Sequence, residues 1–370
     1  MRINRLYLRN FRNYGEAEIS FVPGVNLLMG DNANGKTNLL EAITYLSEGK
    51  AFRTRREQEL IRFEADFAEL QAEVYSQERE QELRAVLFSG RRPRQLWVNG
   101  VKKKSSGEFA GILKSVLFCP EDLWVLKKGA APRRRLLDRV ICQLRPNYDM
   151  ALTEYSRLLD QKSAVLKDWR ENPGLLDILP EYNTRLVQVG ALLISYRARF
   201  LRALEKAAAE FHEEFSGGKE QLTLTYNTVS SVEDPFAGLE ELRLQLQDHM
   251  ESHRQAELNS GQCLSGPHRD DFTAALNGLP MAKFASQGQT RTATISIKLA
   301  ERELIRRDTE EEPVLLLDDV LSELDPGRQD FVLNQLKSGQ VFITCCEDDR
   351  YTKIGRRLEI VNGTIRVLER

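Results

Sequence analysis

The chain has 370 residues, of which 41% are hydrophobic and 29% charged, and its mean hydropathy is −0.43. This composition predicts a globular protein of about two to three domains and excludes a disordered or fibrous chain. The net charge of −2 is close to neutral, so binding to nucleic acid would have to depend on local basic clusters. No run approaches about 18 uncharged apolar residues and the first residues lack a signal-peptide core, which favours a cytoplasmic protein without membrane partners.

The cysteines are few and scattered, and none forms a Cys-x-x-Cys pair. We therefore expect reduced and mostly buried thiols rather than disulfides. No group of histidines and cysteines has the spacing of a zinc site. The cysteines stand at positions 119, 142, 263, 345 and 346.

The N-terminal segment predicts strands followed by a phosphate-binding loop. Residues 3–8 and 16–22 alternate apolar with polar side chains, which is typical of half-buried antiparallel strands, and 25–29 reads as a buried strand. The next eight residues fit the pattern G-x-x-x-x-G-K-[ST] of a P-loop, and apolar residues then recur at helical spacing. The loop consists of Gly30, Asp31, Asn32, Ala33, Asn34, Gly35, Lys36 and Thr37.

The chemistry of this loop predicts ATP and Mg²⁺ as its ligands. Glycines allow backbone N–H groups to surround a phosphate, and the helix that begins near Gly35 directs its positive end at the anion. Lys36 is expected to reach the β- and γ-phosphates, and the Thr37 hydroxyl is expected to ligate Mg²⁺.

The middle of the chain, about 120–261, has a hydrophobic pattern that predicts an inserted helical lobe. Apolar residues form one helical stripe over 147–169 and a second, about 50 Å long, over 182–215, with a break at 171–174. The two stripes most simply pack as a short antiparallel helix pair, and Gly217-Gly218 ends the second helix.

The C-terminal part predicts a central parallel strand that ends in acidic residues. Residues 313–317 are Pro and four apolar residues, and Asp318 and Asp319 follow them. Asp318 is the expected Walker B residue, which holds Mg²⁺ through water, and Asp319 is placed to orient or deprotonate the attacking water. A further strand is expected at 340–344, and the Ser-x-Gly-Gln of residues 286–289 begins a helix that could bind an anion.

Two basic clusters are candidates for DNA phosphate contacts. Lys102, Lys103 and Lys104 follow a hairpin-like Asn-Gly turn, and Arg133, Arg134 and Arg135 lie in a basic segment. Either cluster could bind DNA with a strong dependence on salt, or could be a solvated face. The three arginines could alternatively pair with acidic residues.

The order of the P-loop, Ser-x-Gly-Gln, Asp-Asp and Leu-Asp-Pro motifs resembles an ABC-type ATPase head. The finer motifs are similar to those of the RecF family over nearly the whole chain. This resemblance implies an α/β head from 1–119 and 262–370 with 120–261 inserted. The motifs are Leu-Arg-Asn-Phe-Arg-Asn-Tyr at 8–14, Asn-Leu-Leu-Glu-Ala-Ile at 38–43, Ala-Phe-Arg-Thr at 51–54, Phe-Cys-Pro-Glu-Asp-Leu at 118–123, Arg-Arg-Arg-Leu-Leu-Asp at 133–138, Gly-Pro-His-Arg-Asp-Asp at 266–271, and the Asp-Asp segment through Asp325.

The resemblance also implies a function. The expected protein binds DNA, forms a homodimer when it binds ATP, and acts with RecO and RecR to load recombinase at gaps, with roles in replication and the SOS response. It would be a weak, DNA-dependent ATPase that works as a switch, located in the cytoplasm with the nucleoid.

Several site residues follow from the resemblance alone. Ser286, Gly288 and Gln289 would close over the nucleotide of a second copy, and Asp325 would lie in the loop that crosses the dimer seam. Arg53 is a candidate phosphate or nucleotide contact, with an ordinary surface arginine as the alternative.

Three positions depart from the patterns of related ATPases. Ala33 replaces a usual glycine, which is tolerable if its φ is negative. Glu121 replaces the Q-loop glutamine of transporter heads, where it could still face Mg²⁺. Thr344 replaces their switch histidine, and because threonine cannot become charged, slow hydrolysis is expected.

Two other classes of protein remain as alternatives. A nucleotide-binding subunit of a membrane transporter would need the switch histidine and the Q-loop glutamine. A small P-loop kinase would lack the Ser-x-Gly-Gln and Leu-Asp-Pro elements.

Overall fold

The computed structural model describes residues 1–54, 56–336, 338–345 and 355–368. Its contacts divide the chain into two compact units. The first unit is formed by Met1–Trp124, Cys142–Leu144 and Arg291–Arg370, and the second by Val125–Ile141 and Arg145–Thr290.

The chain contains both strands and helices, which follow one another in runs of up to five strands or three helices, as in a mixed α/β protein. The strands are β1 (Arg2–Phe11), β2 (Tyr14–Ser20), β3 (Val25–Met29), β4 (Phe67–Ser76), β5 (Arg79–Phe88), β6 (Gln95–Val98), β7 (Val101–Lys103), β8 (Ser115–Phe118), β9 (Leu222–Asn227), β10 (Asp271–Leu276), β11 (Leu279–Pro280), β12 (Val314–Leu317), β13 (Val341–Cys345), β14 (Arg356–Val361) and β15 (Thr364–Leu368). The helices are α1 (Lys36–Glu48), α2 (Ala130–Leu144), α3 (Pro146–Asp168), α4 (Leu179–Ser216), α5 (Leu239–Ser252), α6 (Arg254–Ser260), α7 (Met281–Phe284), α8 (Gln287–Thr309) and α9 (Pro326–Asn334).

Two sheets form the first unit. One is antiparallel, in the order β2-β1-β4-β5-β6-β7. The other has the order β15-β14-β3-β13-β12-β8, and its strands are parallel except at the β14–β15 hairpin. Because parallel strands end at the same edge, the P-loop after β3 and the two aspartates after β12 meet there.

Helix α1 joins the two sheets through one hydrophobic core. Its Leu39, Leu40, Ile43 and Leu46 are completely buried, together with apolar residues from both sheets. The predicted apolar stripe after the P-loop is thereby confirmed. The helix ends at Gly49, whose positive φ of 66° permits the left-handed cap.

The second unit contains the predicted helix pair and a small sheet. Contacts pair Tyr148 of α3 with Tyr196 of α4, and Glu154 with Arg185. As the residue number increases along α3, the number of the contacting residue in α4 decreases. The two helices are therefore antiparallel, as predicted. Helix α4 ends at Gly217 in the left-handed conformation, also as predicted.

The contacts divide the chain at different residues from the predicted segment 120–261. Strand β10, which lies beyond residue 261, pairs with β9 inside that segment, and the second unit extends to Thr290. Local sequence patterns do not report such pairing between distant strands. The predicted domains, 1–119 with 262–370 and the insert 120–261, remain a prediction.

The cysteines within the described ranges are buried thiols outside any disulfide, as expected. They are Cys119, Cys142, Cys263 and Cys345, and the prediction for Cys346 lies outside the described residues. Among the helices of the described chain, none is both long and apolar enough to cross a membrane.

Candidate nucleotide site

The P-loop connects β3 to α1 and closes around the ammonium group of Lys36. This side chain is 4% exposed and donates hydrogen bonds to the carbonyl oxygens of Gly30 and Asp31, the latter at 3.2 Å. Gly30 and Gly35 have φ values of 139° and 111°, and a Cβ atom at Gly35 would collide with the side chain of Asn13. Both glycines are therefore required by the backbone path of the loop.

The turn between β1 and β2 supports the P-loop from one side. The side-chain amide of Asn13 donates to the carbonyl oxygen of Asn34 at 2.9 Å, and its oxygen accepts a bond of 2.9 Å from Asn38. The buried hydroxyl of Tyr14 donates to the carbonyl oxygen of Gly35 at 2.8 Å. Asn13 and Tyr14 belong to the motif at 8–14 but were not among the predicted site residues.

The turn between β14 and β15 holds the loop from another side. The Gly363 amide donates to the carbonyl oxygen of Asn34 at 3.2 Å, and the Asn362 amide lies 3.4 Å from the side-chain oxygen of Asn34. A Cβ atom at Gly30 would collide with the carbonyl oxygen of Ile360. The loop is thus held by segments from both ends of the chain.

The backbone of Ala33 has a positive φ of 69°, in the left-handed region. Its methyl group would be tolerated without strain only if φ were negative, so the condition stated for this position is not met. A non-glycine residue in this region costs roughly 1–2 kcal/mol. The departure from glycine is therefore a source of local strain in the loop.

The two aspartates after β12 lie at the C-terminal edge of the parallel sheet. The Thr37 hydroxyl donates to Oδ1 of Asp318 at 2.9 Å, and the Thr344 hydroxyl lies 3.2 Å from Oδ1 of Asp318 and of Asp319. The amide of Asp319 donates to the Thr344 hydroxyl at 2.7 Å. Burial raises the pKa of Asp318, and the charge of Asp319 adds to this, whereas the bonds from the two threonines oppose it.

Asp319 and Arg53 share a polar cavity with the P-loop. Asp319 has a φ of 51°, a conformation that aspartate tolerates better than most residues. The cavity has a volume of about 220 Å³. Its lining residues are Asp31, Asn32, Ala33, Gly35, Lys36, Thr37, Asn38, Arg53 and Asp319.

The residues of this cavity fit a triphosphate with Mg²⁺. The ammonium of Lys36, the guanidinium of Arg53 and the N-terminus of α1 are suited to an anion. Thr37 and Asp318 bring together two oxygen ligands, and Mg²⁺ typically takes one or two carboxylates in addition to phosphates and water. In the described part of the chain, no group of three or more His, Cys, Asp or Glu could hold a metal ion.

The Ser-x-Gly-Gln residues form a capping box at the start of α8. The amide of Gln289 donates to the Ser286 hydroxyl at 3.2 Å, and the Ser286 amide donates to the Gln289 side-chain oxygen at 2.9 Å. Ser286 is exposed, and Gly288 is half-buried beside it. The predicted contact of these residues with a second copy remains a prediction.

Glu121 and Asp325 lie outside the lining of the cavity. Glu121 is exposed and follows β8, the neighbour of β12. Asp325 caps α9 by accepting the amide of Arg328 at 3.2 Å. Burial alone would raise the pKa of Asp325, but the bonds from Arg328 oppose this effect, and the pKa is lowered overall.

The two basic clusters have different surroundings. The side chain of Arg133 is 11% exposed, and its guanidinium donates two bonds to Asp271 at 2.6 and 2.7 Å. Arg134 donates to the main-chain carbonyl oxygen of Asp270 at 2.6 Å. The contact of Arg133 favours the alternative of pairing with an acidic residue, whereas Arg134 bonds to a main-chain carbonyl and Arg135 is exposed. Lys102 and Lys104 are exposed and Lys103 is half-buried on the predicted β6–β7 hairpin, which is confirmed.

Comparisons with known proteins decide the family. The model of the family described as "RecF/RecN/SMC N terminal domain" matches residues 2–365. A protein of Agathobacter rectalis named "DNA replication and repair protein RecF" is 36% identical over 373 residues, with 100% of both chains covered. This chain belongs to the RecF family. A protein of Acetivibrio thermocellus with the same name is 34% identical over 351 residues, with 95% of each chain covered.

Solved structures agree with the RecF assignment. A structure described as the recombination mediator protein RecF-ATPrS in the RecFOR pathway has a TM-score of 0.92 and 33% identity, and covers 100% of this chain and 98% of that chain. The Smc head domain of Pyrococcus furiosus has a TM-score of 0.55 and 17% identity, covering 99% and 95% of the two chains, which shows a shared fold. The predicted fold class, an α/β ABC-type ATPase head, is confirmed.

Proposed function

We propose that this protein is an ATP-binding DNA replication and repair protein that acts in recombination. Its RecF relatives carry the name of DNA replication and repair proteins, and one solved relative is described as RecF-ATP. The observation that carries the proposal is the bond of 2.9 Å between Thr37 and Asp318, which joins the end of the P-loop to the acidic end of β12. In the proposed complex, the Thr37 hydroxyl would ligate ATP-bound Mg²⁺ and Asp318 would hold the ion through water.

Each residue of the site has a distinct role in this proposal. Lys36 moves from the loop carbonyls to the β- and γ-phosphates, and Arg53, which lines the same cavity, also contacts the phosphates. Asp318 orients the ion through water, and Asp319 orients or deprotonates the attacking water. When bound, Mg²⁺ neutralises charge that develops on the phosphates.

The proposed active form is a dimer with ATP between its two copies. Ser286, Gly288 and the start of α8 in one copy would close on the triphosphate held by the other copy. Two observations support this. Ser286 is exposed, and it lies at the N-terminus of α8, a helix of 23 residues, where an anion is stabilised. Asp325, at the exposed start of α9, would lie in the loop at the seam, and Glu121 would face the ion.

The dimer would bind DNA and act with RecO- and RecR-like partners to load recombinase at gaps. The roles in the SOS response and the location at the nucleoid belong to the same proposal. Thr344 bonds to both aspartates but cannot carry charge, which supports slow turnover of a switch. Dependence of this turnover on DNA belongs to the same proposal. Relatives that match across whole chains as RecF favour this function over a transporter subunit or a kinase.

The test combines self-association with ATP turnover. Sedimentation velocity with ATP and Mg²⁺ should show dimers, and duplex, single-stranded or gapped DNA should raise a turnover that depends on protein concentration. Lys36→Arg should keep nucleotide binding and lose hydrolysis, whereas Ser286→Ala should lose the dimer and keep ATP binding by the monomer. A wild-type protein that stays monomeric with ATP and hydrolyses it equally well without DNA would refute the proposal.

A further inference from the structure

The side chain of Gln289 uses both ends of its amide. Its oxygen accepts the Ser286 amide at 2.9 Å, and its nitrogen donates to Oε1 of Glu220 at 2.7 Å. A capping box fixes the start of a helix because it satisfies amide groups that lack partners within the helix. The second bond ties this capping box to the segment between α4 and β9.

Glu220 also contacts the last turns of α4. Its Oε2 lies 3.0 Å from Nε2 of His212, a completely buried residue of that helix. Burial lowers the pKa of His212, although the hydrogen bond to Glu220 works in the opposite direction. A neutral ring that meets a carboxylate through Nε2 carries its proton on that nitrogen, so His212 donates to Glu220. The carboxylate thus receives one bond from α4 and one from the start of α8.

We propose that Glu220 is a positioning residue for Ser286: it holds Gln289, and through it the capping box, in the geometry that a second copy's triphosphate requires. The carboxylate fixes the rotamer of Gln289, whose oxygen in turn holds the Ser286 amide. The inference rests on the proposed ATP-dependent dimer. The neutral Gln289, rather than a glutamate, stands next to the anion site, and the negative charge of Glu220 lies one side chain further away.

This geometry explains why a charged acceptor is useful at this position. A free Gln289 side chain would have several rotamers, and ordering it during association would cost free energy. A hydrogen bond to a charged acceptor supplies that order before the second copy arrives. Removing the acceptor should therefore weaken association while leaving the P-loop, which lies in the other compact unit, able to bind ATP.

Hydrogen–deuterium exchange on the monomer tests the ordering directly. Glu220→Ala should accelerate exchange of the amides of residues 286–290 about tenfold, since a bond to a charged group contributes roughly 1.5 kcal/mol or more. Glu220→Gln keeps an oxygen for Gln289, and its amide can donate to the other tautomer of His212, so exchange should stay within about threefold of the wild type. Equal acceleration in both variants, or none in Glu220→Ala, overturns the proposal.

Glu205→Ala is the matched control, because Glu205 is a half-buried carboxylate of α4, the helix that contains His212, and its Oε1 accepts the Leu224 amide at 3.1 Å. It should leave exchange at residues 286–290 unchanged, and an equal effect there would show general loosening of the unit instead. Sedimentation velocity with ATP should show association about tenfold weaker for Glu220→Ala alone, with unchanged binding of the fluorescent analogue mant-ATP. Wild-type association with no difference in Glu220→Ala overturns this inference alone, whereas a monomeric wild type refutes the proposed function and leaves the exchange result to decide the ordering role.

Discussion

The side-chain amide of Asn13 donates a hydrogen bond of 2.9 Å to the carbonyl oxygen of Asn34 in the P-loop. The same side chain accepts a bond from Asn38 in the first turn of α1. One residue from the β1–β2 turn therefore fixes both the loop and the beginning of the helix that follows it. Because the N–H groups of a P-loop bind phosphate only when they converge, this contact prepares the loop for its ligand.

Asn13→Ala should weaken binding of mant-ATP about tenfold, because two hydrogen bonds that order the loop are lost. Equilibrium titration of the purified protein measures this effect. Asn4→Ala is the control, since Asn4 lies on β1, the strand that leads into the turn with Asn13, and its side chain accepts a bond from Arg2. An Asn13→Ala protein that binds the nucleotide as tightly as Asn4→Ala would contradict a supporting role for this residue.

The raised pKa of Asp318 predicts a pH-dependent gain in stability for Asp318→Asn. Burial is the main cause of the shift, and the folded protein therefore holds this proton more tightly than the unfolded chain does. The carboxyl group favours folding at acid pH, and that contribution is lost as the pH rises through the folded-state pKa. At pH 7.5 and without nucleotide, Asp318→Asn should have the larger free energy of unfolding, and the difference should shrink towards pH 4.

Urea denaturation at both pH values measures this change. Mg²⁺-dependent ATP hydrolysis should be lost in the same variant, because a neutral amide replaces the carboxylate that is proposed to hold the ion. A gain in stability that accompanies this loss is common when a functional carboxylate is removed. A variant that is less stable than the wild type at pH 7.5 would show that the contacts with Thr37 and Thr344 outweigh the cost of burial.

Local patterns were sufficient to predict the strand, loop and helix around Lys36, because periodicity and glycine spacing report the path of the adjacent backbone. They could not predict contacts such as that between Gly363 and Asn34, since no local pattern reports which distant turns will meet. The positive φ of Ala33 could not be predicted either, because loop dihedrals depend on these distant supports. The bond between Gln289 and Glu220 could not be predicted for the same reason, although the start of the helix was predicted.

Ala33→Gly should increase stability by about 1 kcal/mol. It relieves a left-handed conformation that costs roughly 1–2 kcal/mol, and the added freedom of the unfolded chain returns part of this gain. Thermal and urea unfolding measure the difference. Ala282→Gly is the control with the opposite expected sign, because the exposed Ala282 lies in helix α7. This variant should have a free energy of unfolding lower by about 0.5–1 kcal/mol. A loss of stability in both variants would refute strain at Ala33.

The exposed lysines of the β6–β7 hairpin should contribute more to DNA binding than Arg133 does. The double variant Lys102→Ala with Lys104→Ala should reduce the slope of log affinity against log salt by about 2, since each phosphate contact on duplex DNA contributes about 0.9. Fluorescence anisotropy with labelled duplex DNA at several salt concentrations measures the slope.

Arg133→Ala also removes positive charge but should leave that slope unchanged, because the guanidinium is held by Asp271. It should instead lower stability by about 2 kcal/mol, since it leaves a partly buried carboxylate without its partner. The comparison is decisive in either direction: a flattened slope in Arg133→Ala with a normal slope in the lysine variant would place the DNA on the arginine segment and leave the hairpin lysines as a solvated sheet edge.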